Sequence, residues 1–225
     1  MIKPEITARR IGDERQPIVI VEGFHPDPER LRSAAESAQF EPAHRHYPGI
    51  RAALPKDYFT QVRPVLAMVL REVFGHAGAI DLIDASFSIV TAPPADLTIE
   101  QRLPHVDAVQ PGRIALVHYL SRDDGDGTAF FRHRASGFET IDGQRSAGYL
   151  ARLNTELNEG GMPPHAYVHD DTPLFERTAQ VGARYNRAVI YRSAILHSGA
   201  IRPGAPLDAD PATGRLTVTA FLSAD

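Results

Sequence analysis

The sequence contains no cysteine. That excludes a disulfide framework, a thiolate nucleophile and any cysteine-ligated zinc or iron–sulfur centre, and it fits a reducing compartment. No stretch approaches the roughly 18 consecutive apolar residues of a membrane span, and the opening MIKPEITARRIGDERQ lacks the apolar segment of a secretion signal. A basic excess is missing as well. The 24 Lys and Arg stand against 28 Asp and Glu, a formal net charge of −4, so no field gathers a phosphate backbone. A cytoplasmic protein is therefore expected, with no nucleic-acid and no membrane partner; a homodimer is left open. Neither internal repeats nor low-complexity segments are found. The 225 residues, 43% hydrophobic and 23% charged, suit one domain over 1–225 with a full core.

The N-terminal half reads as strand and helix. PIVIVEGF (Pro17 to Phe24) is a β-branched run closed by Gly23, a buried strand. Asp27 is a good N-cap and Pro28 suits the first helical position, with helix formers continuing to Ser37. Phe40 to Leu54 breaks at Pro42, Pro48 and Gly49 and reads as loop; His44 and His46, beside Arg45 and Arg51, read as solvated or substrate-facing polar groups. From Pro55 apolar residues recur at three- and four-residue steps, predicting an amphipathic helix of about 19 residues, interrupted by Pro64 and ended by Gly75. The helical support thus spans about 27–75, and both helices should pack on one face of a sheet. Ile80 to Ala92 should add one or two strands, opening a core of about 80–222.

Chemistry concentrates in Leu103 to Phe131. His105 and Asp107 are two apart, so an extended chain sends both side chains to one face, where they can converge on one cation. An imidazole beside a carboxylate is two-thirds of a facial triad. RIALVHYL puts Tyr119 on one strand face and His118 on the other, where His118 reads as packing. DDGDG (Asp123 to Gly127) is a flexible acidic turn whose ligand ladder stops too early for an EF-hand. Between residues 132 and 184 the chain carries a basic connector, a helix over Ser146 to Asn158, and a loop with His165, His169, Asp170 and Asp171. A strand or two should follow, and this insertion is a candidate lid or pocket wall. Arg132, His133, Arg134 and Arg192 point to an anionic or polar group near the mouth. His197 ends the apolar run YNRAVIYRSAIL, and Arg215 opens RLTVTAFL. An arginine at the head of an apolar strand must face solvent or meet a buried anion.

In order, HVD, RIALVHYL, GDGTAFF, NRAVIYRSAILHS and RLTVTAF resemble the 2-oxoglutarate and Fe(II)-dependent dioxygenases of the prolyl-hydroxylase-like branch. The resemblance runs from about Leu97 to Leu222. It implies a mainly β (α+β) fold, a double-stranded β-helix or jelly-roll, cupin-like barrel with N-terminal supporting helices. It implies Fe(II) held by His105, Asp107 and His197. The distal carboxylate of 2-oxoglutarate would be gripped by Arg215, helped by Tyr119 and by Thr217 or Thr219. With O2 as oxidant, succinate and CO2 leave and a C–H bond of a small-molecule or peptide substrate is hydroxylated. Asp107 disfavours the halogenating relatives, whose carboxylate is replaced. One departure is visible: 17 residues separate His197 from Arg215, where similar enzymes place about ten, and a loop enlarged by Gly and Pro would absorb the excess. A cupin-like barrel and a non-catalytic metal- or ligand-binding barrel are the alternatives. The usual HxH and Glu pattern of cupins is missing at His105–Asp107.

Overall fold

Two β-branched runs, PIVIV and RAVIY, pair side by side in the larger of two antiparallel sheets. The structure is a computed structural model describing residues 3–43 and 47–224; His44 and His46 lie outside the described residues. The chain runs β1 (Glu5–Ile11), β2 (Gln16–Glu22), α1 (Pro28–Glu36), β3 (Glu41–Pro42), β4 (Gly49–Ala52), α2 (Tyr58–Phe74) and β5 (Ile80–Val90). It continues through β6 (Arg113–Tyr119), β7 (Gly125–His133), α3 (Ser146–Gly160), β8 (Phe175–Ala183), β9 (Arg187–Arg192), β10 (His197–Gly199) and β11 (Leu216–Ala224). The eight-stranded sheet has the order β1-β2-β9-β6-β11-β5-β4-β3, and the three-stranded sheet β10-β7-β8.

Alternation along the strands makes three layers. Leu116, Ile190, Val218, Phe87 and Ile89 face α1 and α2, whose Leu31, Val62, Leu66, Val69 and Leu70 fill one apolar cluster. Their neighbours Ala115, Tyr119, Val189 and Tyr191 face the small sheet and pack on Phe130, Val181 and Ala183. On that sheet's outer side, Tyr149, Leu153 and Leu157 of α3 pack against Phe131 and Phe175. Burying a large side chain in such a layer contributes about 1.5–3 kcal/mol.

Both expected supporting helices form. Asp27 Oδ1 accepts from Arg30 N at 3.1 Å, and α2 retains Pro64 and ends at Gly75, whose φ of 77° suits glycine. The loop expected over Phe40 to Leu54 is corrected: it contains β3 and β4. Pro42 is tolerated because β3 is the sheet's edge. Gly49 is required because a Cβ there would stand 2.0 Å from the Ile89 carbonyl. β1 was not expected, since its largely exposed residues carry no clear alternation. The insertion is more a buttress than a lid, because α3 is fixed on the small sheet.

His118 does more than pack. It is fully buried, with Nε2 3.0 Å from Asn186 Oδ1 and Nδ1 3.2 Å from the Tyr58 hydroxyl. The amide oxygen only accepts, so Nε2 carries the proton and Tyr58 donates to Nδ1. Burial pushes this imidazole down to about 3, which keeps it neutral. Asn186, at φ 58°, also bonds both backbone groups of His25, tying the helical layer to the sheet.

Candidate metal centre

A backbone bridge builds the site. His105 lies outside any named strand, but it pairs with His197 in an isolated bridge through reciprocal N–H to carbonyl bonds of 2.9 Å. The Asp107 N–H donates to the Ser193 carbonyl at 2.9 Å, fixing this carboxylate two residues on. His197 itself begins β10, opposite Phe130 of β7. The one-ligand-per-residue atoms of His105, Asp107 and His197 all lie within 4.8 Å of one another. Among the described residues they are the one such group of three or more; His165, His169, Asp170 and Asp171 do not form another.

The donor set suits a divalent metal. His197 Nδ1 lies 2.9 Å from the Ile195 carbonyl, which only accepts, so Nδ1 holds the proton and Nε2 keeps its lone pair for a ligand. That Nε2 is 3.4 Å from Asp107 Oδ2, and His105 Nε2 is 3.8 Å from Oδ1. Burial pushes the Asp107 carboxyl up to about 6, partly opposed by His105 and Arg51, and pushes His197 down to about 4. A dication would reverse the unfavourable setting of that carboxylate. The side chains of His197 and Asp107 are 6% and 15% exposed, against 51% for His105, so the site is open on its His105 side. Tyr191 packs edge-on against His197, ring centroids 4.8 Å apart.

The inner face of the large sheet is divided. On β6 and β9 it is apolar, whereas β5 and β11 carry Ser86, Ser88, Thr217 and Thr219. Thr219 Oγ1 lies 2.8 Å from Ser88 Oγ, and Thr217 donates to the Ser88 carbonyl at 3.2 Å. Thr217 stands directly opposite Tyr119, whose hydroxyl is 2.6 Å from Thr128 Oγ1. Arg215, one residue before β11, is beside Gly125, and its charge is felt by Tyr47, Tyr119 and Tyr167. Its Nε is buried without a hydrogen-bond partner, and it makes no salt bridge among the described residues. The long 198–214 segment folds back through Asp208 and Asp210 and is held by Arg32, which donates to the Ala212 carbonyl at 3.2 Å.

The other cations expected at the mouth are engaged elsewhere. Arg132 pairs with Asp13 and Glu139, Arg134 with Asp171, and buried His133 lies 2.8 Å from Glu156. Arg192 lies over Phe74, on the helical side. Sequence reasoning missed Tyr47, Ser86, Ser88 and the full part of Arg51. The signal was available: in GIRA and ASFSI the polar residues alternate with Ile50, Phe87 and Ile89.

Fold and site together define a two-sheet protein carrying a three-ligand cluster suited to a divalent metal. The chain belongs to the family described as a family of unknown function, DUF6445, whose model matches residues 2–222. A comparison with curated proteins gives no match. The structure is similar to HygX from Streptomyces hygroscopicus, solved with nickel, 2-oxoglutarate and hygromycin B bound. The two are 13% identical over 94% of this chain and 84% of that one, with a TM-score of 0.52, a likeness of fold. SnoN, a non-heme alpha ketoglutarate dependent epimerase from nogalamycin biosynthesis, is 13% identical over 94% of this chain and 79% of its own, with a TM-score of 0.49. Among the described residues no helix is long and apolar enough to cross a membrane.

Proposed function

We propose that this protein is an Fe(II)- and 2-oxoglutarate-dependent dioxygenase that hydroxylates a C–H bond of a small molecule or peptide. The balanced reaction consumes 2-oxoglutarate, O2 and R–H and yields succinate, CO2 and R–OH. The carrying observation is the pairing of a His105–Asp107–His197 cluster with Arg215, whose buried Nε lacks a partner. A buried unsatisfied donor costs about 1–3 kcal/mol, and a metal site alone would not require it. A carboxylate beside it removes that cost.

His105, Asp107 and His197 would hold the ion on one face, with the Ile195 carbonyl keeping His197 in the metal-binding tautomer. Once bound, Fe(II) with 2-oxoglutarate and O2 supplies the oxidising chemistry. Arg215 would receive the 5-carboxylate through paired hydrogen bonds, with Thr217 and Tyr119 offering hydroxyls from the same strand face. Tyr191 and the apolar inner face of β6 and β9 exclude water from one side. The double-stranded β-helix of the prolyl-hydroxylase-like branch belongs to this proposal, supported by two facing antiparallel sheets with α1 and α2 on the larger and α3 on the smaller. The test is an anaerobic mixture of protein, Fe(II) and 2-oxoglutarate. A weak visible charge-transfer band is expected; iron uptake without it points to a cupin-like or ligand-binding barrel.

A further inference from the structure

Asp107 and His197 are both set by a turn that belongs to neither sheet. Residues 193–196 cross from β9 of the larger sheet to β10 of the smaller. The Ser193 carbonyl accepts from the Asp107 N–H and the Ile195 carbonyl stands at His197 Nδ1, so the place of this turn decides where both side chains sit. Its support comes from outside. The Leu196 N–H donates to the Glu139 carbonyl and the Ile141 N–H to the Ala194 carbonyl, each at 2.8 Å, and Thr140 bridges Ile195.

Glu139 is the one buried acid among the described residues, 3% exposed, and a carboxylate at that depth needs donors around it. The β1–β2 hairpin brings two of them. At its tip the N–H groups of Asp13 and Glu14 donate to Oε1 and Oε2 at 2.9 and 3.0 Å, and Arg132 Nε donates to Oε1 at 2.9 Å. Glu14 returns the contact, its carboxylate accepting from the Glu139 N–H at 3.3 Å and pairing with Arg145. Gly12 permits the approach, because its φ is 61° and a Cβ there would stand 2.0 Å from Glu139 Oε2. The same hairpin pairs with β9, Ile18 opposite Tyr191. It therefore grips the turn at both ends, through β2 where the turn begins and through Glu139 where it meets His197.

We infer that Glu139 is a positioning residue for the metal centre. It carries the place of the hairpin tip to the 193–196 turn, and through the Ile195 and Ser193 carbonyls to the His197 imidazole and the Asp107 carboxylate. That these groups take a metal rests on the proposed function; that Glu139 sets the His197 ring does not.

The test compares full-length parent, Glu139→Gln, Gly12→Ala and a control, Glu22→Gln, which breaks an ion pair with Arg187 at the other end of β2. The first reading needs no metal. Nitrogen NMR of the imidazole rings at neutral pH reports which His197 nitrogen carries the proton: Nδ1 in the parent and the control, a mixture of tautomers in Glu139→Gln and Gly12→Ala. The second reading is Mn(II) affinity by equilibrium dialysis, with the visible spectrum of the Co(II)-saturated protein. Glu139→Gln and Gly12→Ala should bind Mn(II) about 10-fold or more weakly, as for other outer partners of a ligand, and should alter the Co(II) bands, which lost stability alone would not do. The control should change neither. A parent that takes up no metal removes the oxygenase reading and leaves the ring measurement to decide. A parental tautomer in both variants, or metal effects that Glu22→Gln shows equally, would overturn the inference. If Glu139→Gln does not fold, Gly12→Ala and Arg132→Gln, which takes away one donor, carry the same readings.

Discussion

His105 and His197 face each other across a two-residue bridge, each donating its N–H to the other's carbonyl at 2.9 Å, with ring centroids 4.5 Å apart. This pairing holds the His105 imidazole, on an irregular segment, against β10 through the backbone bonds that a strand would use. The loop borrows β10 as its template, and Ser193 fixes Asp107 in the same way.

The three side chains should therefore act as one unit. His105→Ala, Asp107→Ala and His197→Ala are each expected to lower Mn(II) affinity by more than about 100-fold, beyond the range for outer-shell partners. The melting temperature of the metal-free protein should hold or rise in Asp107→Ala, since a buried carboxylate is removed. Equilibrium dialysis with metal analysis measures the first and calorimetry the second; unchanged metal content in His197→Ala would contradict the assignment.

The buried His118 predicts a pH dependence. Folding moves this imidazole from about 6.5 down to about 3, so the unfolded chain binds the proton first as pH falls. Stability is complete above about 6.5 and declines from there towards 3. Between pH 7.5 and 4.5 the parent should lose about 2–3 kcal/mol more than His118→Gln, which has no such proton to take up. Urea unfolding at both pH values checks this, and parallel losses would count against it.

Gly127 in β7 has φ of 78°, and a Cβ there would stand 2.0 Å from the Val181 carbonyl of β8. Gly127→Ala should cost at least about 2 kcal/mol, read as a lower denaturation midpoint. Gly143→Ala, where a Cβ meets nothing within 4 Å, should cost far less.

What was legible in the sequence followed local rules. The Asp27–Pro28 cap, the apolar stripe of α2, and the HxD spacing with a distal His and Arg215 all act through neighbours in the chain or an ordered set of motifs. What was hidden depends on distant partners. Arg132 looked available until the fold brought Asp13 and Glu139 to it, and His118 looked apolar in role until Tyr58 and Asn186 met it. β3 and β4 are too short, and too rich in Pro and Gly, to announce themselves; pairing with β5 makes them strands. Arg51 was hidden with them.

The central claim is that Arg215 waits for the distal carboxylate of 2-oxoglutarate, and one paired titration tests it most directly. Parent and Arg215→Ala are each titrated with 2-oxoglutarate after anaerobic loading with Fe(II), following the visible charge-transfer band. Both should take up one Fe(II) per chain. The variant should need about 30- to 1,000-fold more keto acid, the equivalent of roughly 2–4 kcal/mol for a bidentate charged contact. A variant that titrates like the parent, or a parent that binds iron and never develops the band, would contradict the account.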